Sequence, residues 1–179
     1  VCGSGSDQTN EKHPVTTLGF LDAVLWCNAV SKLAGLDACY SVWEVDGKFR
    51  IFEPTMLTDA RERGVHFNPR ANGVRLPTGN EWEVAARGGL ERKKFPWGNE
   101  YPGTNRANWY VGDGMPNSTS EVGSYPENGY GLFDMAGGVW EMTWDDALQP
   151  TEQTPSVLTD RYINRGGAWN AGWSPEVST

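Results

Sequence analysis

Histidine is scarce in this chain, with only His13 and His66 among 179 residues. There is no H-E-x-x-H pair, no G-x-S-x-G elbow and no phosphate-cradling glycine loop, which excludes the common zinc-hydrolase, serine-hydrolase and nucleotide-binding layouts. Cysteine is also sparse. Cys2, Cys27 and Cys39 show neither C-x-x-C spacing nor a disulfide-dense pattern, so the redox compartment stays open. Basic residues are outnumbered, 15 against 23 acidic ones, for a formal net charge of −8. A chain with no basic stripe to replace counterions is a poor nucleic-acid partner. Nor does any apolar run reach the length of a transmembrane segment.

Aromatics and turn formers are plentiful: nine tryptophans, 22 glycines and 11 prolines. The length suits a single domain, 1–179, with a sizeable core and much irregular backbone. The most informative stretch runs from Asn128 to Asp145. Asn128-Gly129 and Gly131 supply turn chemistry. A period-two strand then places Trp140, Met142 and Trp144 on one face, which predicts that this face is buried. Glu141 sits on the other face, seven residues after Asp134, with Gly137-Gly138 between them. Two carboxylates with convergent backbone carbonyls make an oxygen-rich site suited to Ca²⁺. The alternative is that loop N–H groups or an arginine satisfy both carboxylates.

Upstream, Thr17 is the N-cap candidate for a helix over about 18–34, with Gly35 at its C′ position. Cys27 falls inside that helix as a buried thiol, and Cys2 is open between a lipid-attachment site and an ordinary thiol. Tyr40–Val45 and Lys48–Phe52, separated by Asp46-Gly47, predict a hairpin. Residues 53–73 read mainly as loop. Thr78 and Glu81 form a capping box that starts a second helix, 79–87, whose apolar side holds Trp82, Ala85 and Ala86 and which Gly88 ends. From 90 to 127 there is almost no periodicity, and Phe95, Trp97, Trp109 and Tyr110 are the expected anchors. The last strand is Tyr162–Trp169, in which Gly166-Gly167 marks a bulge or a close backbone approach. The acidic pair Asp145-Asp146 reads as solvated loop more readily than as a catalytic dyad.

Arg75-Leu-Pro-Thr-x-x-Glu-Trp-Glu, Phe95-Pro-Trp-Gly, Asn108-Trp109, Asn128-Gly-Tyr-Gly-Leu-x-Asp-Met-x-Gly-x-Val-Trp-Glu and Arg165-Gly-Gly-Ala-Trp169 occur in that order. Together they resemble the formylglycine-generating-enzyme, or sulfatase-modifying-factor, family from about His13 to Trp169. The resemblance implies an α+β, C-type-lectin-like fold with two helices, short antiparallel strands and extensive loops. It also implies that parts of the family's N- and C-terminal ends are not represented. Cys27 stands where the family often carries a structural cysteine. Asp134, Gly137, Val139 and Glu141 match the positions through which the family holds structural Ca²⁺.

Family oxidases bind copper through a cysteine pair after Arg-Gly-Gly, and soft thiolates are what selects Cu(I). The resemblance places those positions at Ala171 and Glu176, so no copper is expected. The related sulfoxide synthases need a histidine cluster, which two histidines do not supply. A sulfatase-modifying-factor-like oxidoreductase acting on a protein cysteine is therefore the second reading. The first is a non-catalytic ligand-binding protein like the variable proteins of diversity-generating retroelements, whose segment after Arg-Gly-Gly is hypermutated and displayed. Here that surface would be Trp169, Asn170, Ala171, Trp173, Ser174 and Glu176, a mix of aromatic anchors and adaptable polar groups. Trp173 has the alternative of completing the core. A protein or other macromolecule is the expected partner, and the resemblance favours a secreted or cell-surface location.

Overall fold

The computed structural model describes residues 11–44, 46–101, 103–109, 118–144 and 163–171. They fall into two compact units. Among the described residues there are three α-helices and two antiparallel sheets, an α+β arrangement.

One unit comprises Leu18–Pro77 and Trp144–Ile163. Its first element, α1 (Phe20–Leu33), starts at Gly19 rather than Thr17, which takes a positive φ of 62° outside the helix. The side chain of Asp22 accepts the Gly19 amide at 2.9 Å, so an acidic residue of the first turn serves a donor that the helix leaves unpaired. Gly35 follows with φ of 68°, as a C′ glycine should. Strands β1 (Tyr40–Trp43) and β2 (Phe49–Ile51) form the expected hairpin, with Trp43 opposite Phe49. Residues 53–73 depart from the loop expectation. A 3₁₀ turn, Pro54–Met56, leads into α2 (Leu57–Arg63), and β3 (Val65–Phe67) pairs with β1 to give the order β2-β1-β3. These elements are too short to carry periodicity; the sheet pairing and the buried Ala60 and Val65 hold them.

The core of this unit is Phe20, Val24, Cys27, Tyr40, Val42, Phe52, Ala60 and Val65. Trp144 stacks on Phe20 at 5.6 Å and tilts against Tyr40 and Phe67. The polar side chains buried here are occupied. Asn28 donates to the carbonyls of Tyr40 and Phe52 and accepts the Tyr40 amide, while Ser31 donates to Cys27 O and accepts the Val74 amide. Cys27 and Cys39 are free thiols, both buried.

The other unit comprises Val1–Thr17, Thr78–Thr143 and Asn164–Thr179. Helix α3 (Gly79–Arg87) opens on the reciprocal Thr78–Glu81 capping box and closes on Gly88 in the left-handed region. Trp82 and Ala86 are buried against Met135, and Ala85 is half-buried. Phe95 and Trp109 are buried anchors of the loop region, with Trp97 stacked on Phe95 at 5.2 Å; Tyr110 lies outside the described residues. Strands β4 (Glu141–Met142) and β5 (Asn164–Arg165) pair antiparallel. Both are shorter than their sequence patterns suggest. The single buried face expected of Trp140, Met142 and Trp144 is not formed: Trp140 is 45% exposed and the fully buried residue is Thr143. Two paired residues do not sustain the alternation that a longer strand would impose.

Candidate metal site and display turn

The loop that feeds β4 is built from main-chain bonds. Asn128 makes its turn by accepting the amides of Tyr130 and Leu132 on Oδ1, and its Nδ2 donates to the carbonyls of Ala85 and Ala86. It thereby serves two carbonyls at the C-terminal end of α3, of which Ala85 O also accepts the Gly88 amide. Gly129 lies so close to Gly88 that an added Cβ would stand 2.2 Å from the Gly88 carbonyl oxygen. Further on, Gly138 N donates to Asn108 O and Gly137 N donates to Gly166 O, each at 2.7 Å. This is the close backbone approach expected at Gly166, where a Cβ would meet the Trp82 ring at 3.3 Å.

Asp134 occupies the left-handed region, φ of 55°, which aspartate tolerates better than most residues. Its Oδ2 accepts the Gly123 amide at 2.5 Å, while its Oδ1 is buried and without a hydrogen-bond partner. Glu141 accepts the Trp82 indole N–H on Oε2. Burial pushes the Glu141 carboxyl above its ordinary range; the Trp82 hydrogen bond pulls the other way, and the charge of Asp134 raises it further. The two carboxylates therefore sense one another. Asp134 also borders a cavity of about 20 Å³, room for roughly one water-sized occupant.

The residues fit a hard cation. An orphaned oxygen on Asp134, and a Glu141 carboxyl raised by burial and by the charge of Asp134, are features that positive charge would relieve. Among the described residues no three His, Cys, Asp or Glu side chains gather into a metal-binding group. An ion here would draw its remaining ligands from carbonyls, such as those of Gly137 and Val139, and from water. The alternative of loop N–H partners is realised in part, at Gly123. No arginine serves either carboxylate in the hydrogen bonds and ion pairs described. Sequence reasoning had assigned Trp82 only to the core. A buried indole N–H needs an acceptor and a buried glutamate needs a donor, and that pairing was the available signal.

After β5 the chain turns at Gly166 and Gly167, both with positive φ. Trp169 N then donates to Gly138 O and Ala171 N to Ala168 O. Ala168 is buried, Trp169 and Ala171 are half-buried and Asn170 is exposed. Trp173, Ser174 and Glu176 lie outside the described residues, as do Asp145 and Asp146.

The family model for the sulfatase-modifying factor enzyme 1-like domain matches residues 3–178. The chain belongs to that family. Chaperone protein LppX of Paenibacillus barcinonensis is 33% identical over 174 residues, covering 89% of this chain and 60% of LppX. The formylglycine-generating enzyme of Thermomonospora curvata is 45% identical over 109 residues, 54% of this chain and 36% of the enzyme. The inactive C-alpha-formylglycine-generating enzyme 2 of Mus musculus is 41% identical over 106 residues, 54% and 32%. The chain thus spans between about a third and three fifths of the length of these curated relatives. Among solved structures, Treponema denticola variable protein 1 superposes with a TM-score of 0.74 at 26% identity, covering 99% of this chain and 68% of that one. The sulfatase-modifying-factor-like, C-type-lectin-like fold is therefore shared with a variable protein, in line with the sequence resemblance. Family members matched here include both an enzyme and an inactive homologue, so membership alone does not assign an activity.

Proposed function

We propose that this protein is a non-catalytic binding protein that presents a ligand-contacting surface on the segment after Arg165-Gly166-Gly167. One observation carries the reading. The turn held by main-chain bonds leads through exposed Asn170 to Ala171, a methyl group where the family resemblance calls for a copper thiolate. A rigid frame carrying an exposed loop is the usual design of a recognition site. The likeness to a variable protein supports it. Its partner class is a protein or other macromolecule, met by Trp169, Asn170 and Ala171 and, beyond the described residues, by Trp173, Ser174 and Glu176. Asn170→Arg should abolish capture on a protein array while leaving the melting temperature unchanged. Copper-dependent oxygen consumption with a cysteine-containing peptide would replace this reading with the oxidoreductase one.

Asp134 and Glu141, with carbonyls of Gly137 and Val139, would hold a structural Ca²⁺ that stiffens the loop feeding β4. The unpartnered Asp134 Oδ1 supports this. Calcium should then raise the melting temperature in proportion to the logarithm of its concentration above Kd. Glu141→Gln should remove that increment, and a chelator without effect on the wild type would rule the ion out.

A further inference from the structure

A cavity of about 880 Å³ lies within the unit that carries α1, between that helix and the segments 36–38, 51–54 and 68–71. Its size is that of a small-molecule site. Two of its lining residues, Phe52 and Asn28, are buried. Asn28 is polar but spent: its Nδ2 donates to the carbonyls of Tyr40 and Phe52, and its Oδ1 accepts the Tyr40 amide. The buried side therefore offers an occupant mainly apolar contact, which Leu25, Leu36, Ile51 and Pro54 extend outward.

The outer lining is charged, with two cations against two anions. Lys32 and Glu53 meet at 3.9 Å with both side chains more than half exposed, a pair that contributes little. Asp37 and Arg70 differ. Among the described residues neither side chain enters an ion pair or a hydrogen bond, with the other or with any third group. Their main chains are nevertheless anchored: Asp37 N donates to Asn72 Oδ1 at 2.9 Å, and Arg70 N to Asn68 Oδ1 at 3.0 Å. Two opposite charges thus stand on one cavity, each on a tethered backbone and out of reach of the other.

We infer that this cavity binds a short apolar peptide in its free, zwitterionic form, with the terminal carboxylate on Arg70 and the terminal ammonium on Asp37. A guanidinium takes a carboxylate in a two-bond fork, and a carboxylate accepts N–H bonds from an ammonium. A ligand charged at both ends gives each unpaired group its complement. A monoanion such as a fatty acid would instead add a negative charge to the lining and leave Asp37 unanswered. The apolar body between the two ends matches the spent Asn28 and the Phe52 ring. The site shares no residue with the turn after β5.

Equilibrium dialysis of the whole chain against trileucine tests this. The free peptide should bind, and acetylating its amino end or amidating its carboxyl end should each weaken binding by about tenfold. The variants should lose these preferences one at a time. Arg70→Gln should bind free and amidated trileucine alike while still rejecting the acetylated form, and Asp37→Asn should show the converse. Both residues are exposed, so the melting curves should match the wild type. Should either variant unfold, the free and blocked peptides on the wild type still decide the matter. No retention of trileucine at millimolar concentration overturns the inference. So does equal binding of the doubly blocked peptide, which would make the cavity an apolar groove, and so does tighter binding of octanoate, which would make it an anion site.

Discussion

In the unit that carries α1, buried side chains stand in for missing backbone partners: Asn28 serves Tyr40 and Phe52, Ser31 serves Val74, and the Tyr40 hydroxyl accepts the Leu76 amide. In the unit that carries α3, backbone meets backbone directly, at Gly88 with Gly129, at Gly137 with Asn108 and at Gly137 with Gly166. The first arrangement depends on the polar groups of particular side chains. The second depends on the absence of side chains. The two units should therefore fail under different kinds of substitution.

The sharpest test is Gly129→Ala. The new methyl would stand 2.2 Å from a main-chain oxygen that has nowhere to go. It should cost about 4 kcal/mol of stability in a denaturant titration, at the severe end for a point change. If Gly129→Ala is tolerated, the close approach does not hold that unit together. In the other unit Asn28→Ala should cost about 3 kcal/mol, because the Tyr40 amide and the Phe52 carbonyl are left buried without their partner. Asn28→Asp should recover little of that loss, since the two carbonyls need a donor. A full recovery would mean that bulk, not hydrogen bonding, matters at this position.

Alkaline pH tests the buried thiols of the α1 unit next. Burial, reinforced by the neighbouring Cys39, pushes the Cys27 thiol from 9.0 to about 11. Burial also raises Cys39 and Tyr40. A group whose folded pKa is raised contributes stability that is complete below its unfolded value and is lost as pH rises through the folded one. The melting temperature should accordingly fall between about pH 9 and pH 11, and less steeply in Cys27→Ala; parallel curves would contradict the assignment. The smallest effect is expected at Gly35. Its φ of 68° disfavours a side chain, yet nothing lies within 4 Å of an added Cβ, so Gly35→Ala should cost only about 1 kcal/mol. A loss there as large as at Gly129 would erase the distinction drawn between crowding and conformation.

Much of the frame was legible beforehand because it rests on local chemistry. The Thr78–Glu81 box, the Gly88 stop and the Asp46-Gly47 hairpin each follow from a few adjacent residues, and each is present. Helix α2 and strand β3 were not legible, since elements of seven and three residues carry no usable period and are fixed by neighbours distant in sequence. The same reason explains Trp140. Its inward placement assumed a long strand, and β4 has two residues. Of the candidate site, the carboxylates were readable as groups that need partners. That Gly123 and Trp82 would supply them, leaving one oxygen of Asp134 over, depends on a fold-back that no spacing rule encodes.

The turn after β5 is fastened by Gly137 N to Gly166 O, Trp169 N to Gly138 O and Ala171 N to Ala168 O, main chain to main chain throughout. Fasteners of that kind do not register what hangs from the residues they hold. A mutational library over 169–171 should therefore pass a folding screen at most substitutions and be sorted almost entirely by what it sticks to. The same library placed at Asn28, where the side chain is itself the fastener, should yield few folded clones. Tolerance of this sort would let one scaffold be re-aimed many times without being rebuilt.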